Sequence, residues 1–143
     1  MMMNLVSNKP PEQGLRPATI GGSKLKLNLE TCQLGDVAVV HCEGRIVYRE
    51  EATALSRTAS EVLHDSKSIV LDLGGVERID SAGLGELVLV RMNAEAEGSS
   101  VKLACPNRRV RELLDLTNLS SVFEIYPTVA DALASDEKMV RPV

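Results

Sequence analysis

The stretch Ile79-Asp80-Ser81-Ala82-Gly83 holds the residues of this chain best suited to chemistry. Asp80 and Ser81 stand directly before a helical run. Aspartate and serine oxygens accept the free N–H groups of a helix start, so one of the pair caps a helix beginning at about Ala82. The other is left facing solvent at the top of the domain. Loops at the C-terminal ends of strands are where α/β folds place function. Spacing alone leaves two readings open: a pair of caps and nothing more, or one cap beside one working side chain.

The remaining candidates carry less. His41 falls in a strand pattern and His64 near a helix end, with no metal-ligand spacing around either. No Ser/His/Asp or Cys/His/Asp set converges on the strand ends, so no catalytic residue is assigned and an enzyme is not expected. Gly74-Gly75 and Gly83-Leu84-Gly85 lack the Lys-Ser/Thr of a phosphate-cradling loop, and no cofactor is expected. Arg108, Arg109 and Arg111 cluster at a helix start, a solvated face or a partner surface. Cys32, Cys42 and Cys105 have no metal-ligand spacing. A hairpin turn at Gly35-Asp36 places Cys42 opposite Asn28 or Leu29, not opposite Cys32, so three reduced thiols are expected.

The elements that must position Asp80 and Ser81 follow from periodicity. Leu25, Leu27 and Leu29 alternate with polar residues, the pattern of a half-buried strand. Residues 37–42 (VAVVHC) form a β-rich run after the turn. Ala52, Leu55, Ala59, Val62 and Leu63 recur at helical spacing. Residues 68–73 (SIVLDL) read as a central strand buried on both faces, followed by a Gly-Gly turn. A second helix covers 82–97, with Leu84, Leu87, Val88 and Arg91 on one stripe, Leu89 and Val90 on its exposed side, and Gly98 at its end. A strand at 101–104, a helix at 108–116, a strand at 122–125 and a helical turn or two at 128–134 complete the series. Alternating strands and helices imply a βαβ core with parallel strands, and the opening hairpin makes the sheet mixed. Residues 1–23 are rich in Pro and Gly without periodicity and read as a flexible leader. The domain is placed at 24–134, with a polar tail at 135–143.

Composition narrows the function. The 143 residues suggest one domain, and a chain of that length buries about 68–70% of its unfolded surface without a metal or disulfide. The net charge is -4, and Tyr48, Phe123 and Tyr126 are the aromatic residues. Neither a basic face nor stacking platforms are present, so nucleic acid is not expected as a partner. No apolar run approaches the roughly 18 residues of a membrane span, and the first residues lack the apolar core of a signal peptide. No membrane insertion and a cytoplasmic location are expected.

The run Ile69–Leu87, IVLDLGGVERIDSAGLGEL, resembles the core signature of the STAS domain of anti-sigma-factor antagonists. Supporting pieces follow the family's order. Cys42-Glu43-Gly44-Arg45-Ile46 is similar to its strand ending in Gly-Arg-Leu/Ile. Residues 110–119, VRELLDLTNL, resemble its third helix and turn, and 122–126, VFEIY, its last strand. The resemblance implies an α/β fold: a single STAS-type domain with a mixed, mostly parallel sheet of about five strands and about four helices. It implies a partner-switching regulator of transcription that binds an anti-sigma serine kinase, is phosphorylated at Ser81, and is reset by a serine phosphatase. Asp80, Ala82, Gly83, Leu84, Gly44, Arg45 and Glu50 would join Ser81 in the partner surface. Family members often carry an acidic residue after Gly-Arg-Leu/Ile. Here Val47 stands there, so Glu50 or Glu51 substitutes or the partner differs. The alternative is a kinase-independent STAS scaffold, such as a signalling-complex or lipid-transporter subunit.

Overall fold

The tight turn at Gly35, where φ is +64°, folds the first long strands back on each other. The structure, a computed structural model, describes residues 19–20, 23–24 and 27–140. Strands β1 (Thr19–Ile20) and β2 (Ser23–Lys24) pair antiparallel, apart from the main sheet. The leader expected at 1–23 therefore contains paired strand at its end. Gly-Gly, the sequence between the two, is of the kind that closes two-residue hairpins. The rest of that expectation lies outside the described residues. Strands β3 (Leu27–Leu34) and β4 (Val37–Ile46) form the hairpin about Gly35. Its register sets Leu29 opposite Cys42 and Cys32 opposite Val39, as the turn position implied.

Strands β5 (Ser68–Ile79), β6 (Ser100–Ala104) and β7 (Glu124–Tyr126) then add in parallel, in the order β3-β4-β5-β6-β7. Helices α1 (Tyr48–Leu63), α2 (Ser81–Ala96) and α3 (Arg108–Leu116) bury Leu55, Leu87 and Leu114 against one face of the sheet, where Val40, Ile46, Leu71 and Leu103 meet them. Helix α4 (Val129–Val140) covers Val39, Val70 and Ala104 on the other face. Phe123 closes the larger core just ahead of β7. The expected mixed, mostly parallel five-stranded sheet with four helices is the observed architecture.

Apart from shifts in strand ends, with β4 reaching Ile46 and the strand expected at 122–125 lying at Glu124–Tyr126, four details differ from the sequence expectations. β5 does not end in a turn at Gly74-Gly75; it continues to Ile79. Opposite β4 the register jumps twice, from His41↔Asp72 to Glu43↔Gly75 and from Gly44↔Val76 to Arg45↔Arg78, so β5 carries the extra residues of two bulges. Each extra residue flips the side-chain alternation. Leu73, Val76 and Ile79 thereby enter the same core although they follow one another at odd steps of three. Gly75 lets β5 lie close to β4, because a Cβ there would stand 3.0 Å from the Cys42 carbonyl oxygen and 3.2 Å from Glu43 Cα. Next to it Asp72 Oδ1 accepts the Gly74 N–H at 2.9 Å.

Helix α1 begins at Tyr48, a turn before its apolar stripe. Glu51 lies buried there, and its Oε1 accepts the Val47 N–H at 3.1 Å, while Val47, the residue before the helix, has no side-chain oxygen to cap the first turn. Helix α4 runs past the expected end at Ala134 to Val140, because Asp136, Glu137, Lys138 and Met139 contain no helix breaker. Finally, Val90 is buried and not on the outer side of α2. Gly83, Leu87, Val90 and Ala94 follow steps of four, three and four, the true inner stripe of the helix. Leu89 and Met92, at 45% and 56% exposure, are the large apolar residues of α2 left outside.

Candidate functional site

The bulges of β5 bring Ile79 into the core and Asp80 out at the top of the sheet, beside the end of β4. The Asp80 N–H donates to the Ile46 carbonyl oxygen at 3.3 Å, which ties the two strand ends together. Asp80 has extended backbone, and its Oδ1 accepts the Gly83 N–H at 2.9 Å, so Asp80 is the cap of α2. Its other oxygen, Oδ2, accepts the Tyr48 N–H at 2.9 Å at the start of α1. One carboxylate therefore fixes two helix starts. Partial burial pushes this carboxyl up, but the N–H groups of Tyr48, Gly83 and Ala82 outweigh it and hold Asp80 below the usual carboxylate range. Asp80 is thus an anion at neutral pH, well placed against the positive end of α2.

The open question between Asp80 and Ser81 is answered by these bonds. Ser81 is the first residue of α2 and is exposed, and its hydroxyl has no hydrogen-bond partner among the described residues. Ala82 is exposed beside it. Gly83 and Leu84 are buried and position the loop from beneath. A Cβ on Gly83 would stand 2.3 Å from the Ile46 carbonyl oxygen and 2.9 Å from Ile79 Cγ2. Only glycine lets the first turn of α2 press this closely on the end of β4.

Gly44 and Arg45 lie on β4 two and one residues before Ile46, half-buried, where Gly44 takes a φ of +117° at the second bulge. Glu50 is exposed in the first turn of α1. Of the two acidic residues that follow Val47, Glu51 is turned inward onto the Val47 N–H, and Glu50 is the one that faces outward. The residues singled out in the sequence thus gather at the C-terminal ends of β4 and β5 and the helix starts that follow.

Tyr48 belongs to the same place and had no sequence signal. Its φ is +65°, a region that bulky L-residues rarely adopt, and its side chain is 64% exposed. Periodicity does not reveal a left-handed residue unless it is Gly or Asn.

His41 and Cys105 lie away from Ser81, on the α4 side of the sheet. His41 is exposed, and its Nδ1 lies 2.6 Å from Asp72 Oδ2. Burial first, and the charge of Asp72 second, push the Cys105 thiol up. Burial pushes the Cys42 thiol up to about 12. His64 caps the end of α1 in solvent. Arg108 pairs with Glu112 and Arg111 with Asp115 along the exposed side of α3. Among the described residues there is no cluster able to hold a metal ion. No described helix is long and apolar enough to cross a membrane.

The fold and site together define a small α/β domain that presents a capped, solvent-facing helix start, with the Ser81 hydroxyl exposed, at the end of its central strand. The chain belongs to the STAS domain family, whose model matches residues 28–132. A Thermotoga neapolitana protein whose name places it with the anti-sigma factor antagonists is 40% identical over 65 residues, covering 46% of this chain and 58% of that protein. The matched stretch therefore spans less than two thirds of that relative. An anti-sigma factor antagonist from Mycobacterium paratuberculosis superposes with a TM-score of 0.69 at 25% identity, over 82% of this chain and 97% of its own. A Thermotoga maritima structure named with the same class gives a TM-score of 0.65 at 28% identity, over 75% and 92% of the two chains.

Proposed function

We propose that this chain is an anti-sigma-factor antagonist, a cytoplasmic partner-switching regulator whose binding to an anti-sigma serine kinase is ended by phosphorylation of Ser81. The observation that carries this reading is the division of labour at the start of α2. Asp80 does the capping, so the Ser81 hydroxyl is exposed and has no structural task. The naming of the relatives as anti-sigma factor antagonists supports the same class of partner.

In the proposed cycle the unmodified chain occupies the kinase and displaces the sigma factor. The Ser81 Oγ then attacks the γ-phosphorus of the kinase's ATP. The bond from that phosphorus to the β–γ bridging oxygen breaks, the hydroxyl proton passes to a base of the kinase, and phospho-Ser81 and ADP result. A serine phosphatase hydrolyses the phosphate and resets the chain. The enzymes in this cycle are the partners.

Magnitudes place the effect at the interface and not in the fold. A phosphoserine carries about -1.5 to -2 charges. At the start of α2 the helix dipole offers up to about 2 kcal/mol, while Asp80 next to it opposes by about 1–4 kcal/mol depending on dielectric. These offset each other. A charge sealed unpaired into a complex costs several kcal/mol, and every 1.4 kcal/mol is about tenfold in affinity.

The test is incubation with the anti-sigma kinase of the same cell and Mg-ATP. One phosphate is expected, at Ser81. Ser81→Ala should stay folded, refuse phosphate and keep binding the kinase, and Ser81→Asp should bind more weakly than the unmodified chain but more tightly than the phosphorylated one. Phosphate on another residue, or Ser81→Asp binding as tightly as the unmodified chain, would overturn the switch.

A further inference from the structure

Tyr48 combines three features that internal packing does not require of one residue. Its backbone is left-handed, at a φ of +65°. A non-glycine residue there costs on the order of 1–2 kcal/mol, which Gly or Asn would largely avoid. Its ring is not what the core holds, because the side chain is 64% exposed. No other aromatic residue is presented in this way: Phe123 is buried, and Tyr126 is half-buried with its hydroxyl on Glu124 Oε1 at 2.8 Å. The Tyr48 hydroxyl has no partner among the described residues.

What holds the Tyr48 backbone is the same carboxylate that caps the helix starting at Ser81. Asp80 Oδ2 takes the Tyr48 N–H at 2.9 Å while Oδ1 takes the Gly83 N–H at the same distance. The backbone that carries the ring and the helix start that carries the hydroxyl are therefore fixed by one group. A strained backbone that displays an exposed aromatic beside a working hydroxyl has its natural use in a complex, where a large rigid side chain is covered at small entropic cost.

We propose that Tyr48 is a recognition residue for the kinase that phosphorylates Ser81: its ring inserts into an apolar or arginine-lined recess of that kinase and sets which kinase the chain engages. The proposal rests on the reading of Ser81 as the acceptor. Asp80 is the positioning residue for both groups.

The test uses the full chain, the anti-sigma kinase of the same cell and Mg-ATP, with kcat and KM of Ser81 phosphorylation and the melting temperature measured for each variant. Tyr48→Gly relieves the backbone and removes the ring. It should melt a few degrees higher, while KM for the chain rises about tenfold or more with kcat within about twofold. Tyr48→Phe keeps the ring and should keep KM within about threefold of the unaltered chain. Tyr48→Asn, which tolerates the left-handed backbone, should follow Tyr48→Gly in KM. A Tyr48→Gly chain phosphorylated with unaltered KM would overturn the proposal and leave the Ser81 switch standing. A loss of kcat with unchanged KM would also overturn it, because that outcome marks a distorted loop in place of a lost contact. If the unaltered chain is itself not phosphorylated at Ser81, the underlying reading falls and this one with it.

Discussion

On its inner side α2 is held by Gly83, Leu84, Leu87, Val90 and Ala94, all buried against the sheet and α1. On its outer side Ser81, Ala82, Gly85, Leu89 and Met92 meet solvent, flanked by Glu86 and by the Arg91–Glu95 ion pair. The two glycines make the contrast sharpest. A Cβ on Gly83 would lie 2.3 Å from a backbone oxygen, whereas one on Gly85 would meet nothing within 4 Å. The inner residues decide where the helix start stands. The outer ones are exposed and contribute little to the packing of the described residues.

The comparison breaks most visibly at Gly83. The atom opposite its missing Cβ belongs to the backbone of β4 and cannot swing aside, so Gly83→Ala must lift the first turn of α2 or distort the strand end. We expect a loss of about 3 kcal/mol by urea unfolding, at the upper end of overpacking costs. On the proposed switch, Ser81 phosphorylation should fall further than the folded fraction does. A cost below about 1 kcal/mol would mean that α2 is not pinned at this point.

Asp80 comes next. Asp80→Ala removes the cap and leaves the Tyr48 N–H without its acceptor, at a cost of about 1–3 kcal/mol. The pH dependence has a definite sign. The folded-state pKa of Asp80 lies below its unfolded value, so its contribution is complete above the unfolded value of about 4 and is lost as the pH falls through the folded value. The stability gap between the unaltered chain and Asp80→Ala should thus be constant from pH 8 to about pH 5 and narrow below about pH 4. A gap that widens in acid would contradict the clamp.

The smallest effect is at Gly85 and has the opposite sign. Gly85→Ala adds a methyl group into open space on a helix and should stabilise the chain by about 0.5–1 kcal/mol. Thermal unfolding measures it. Destabilisation would show that the outer side of α2 is packed against something within the fold, and the contrast with Gly83 would disappear.

Local patterns in the sequence carried much of this architecture. Helix α3 begins and ends where Arg108 and Leu116 were expected, because Asn107 caps it through the Val110 N–H and its apolar positions repeat at helical spacing. The β3–β4 register follows from the position of Gly35 alone, since a hairpin pairs outward from its turn. The Asp80-Ser81 pair announced a helix start with a spare functional group, because capping is read from side-chain type.

Tertiary structure decided what depends on a second strand. β5 could not be followed past Leu73 because its bulges exist only relative to the Cys42–Arg45 backbone of β4; Leu73, Val76 and Ile79 have strand spacing only once those bulges are known. The choice of Asp80 over Ser81 as cap required the Ile46 carbonyl and the Tyr48 N–H, both supplied from β4 and the helix after it. The inward turn of Glu51 and the left-handed backbone of Tyr48 were settled at that junction too. Sequence periodicity reports which face of an element is apolar. It does not report which backbone atom of a distant segment will stand opposite a given side chain, and in this protein that opposition sets the geometry around Ser81.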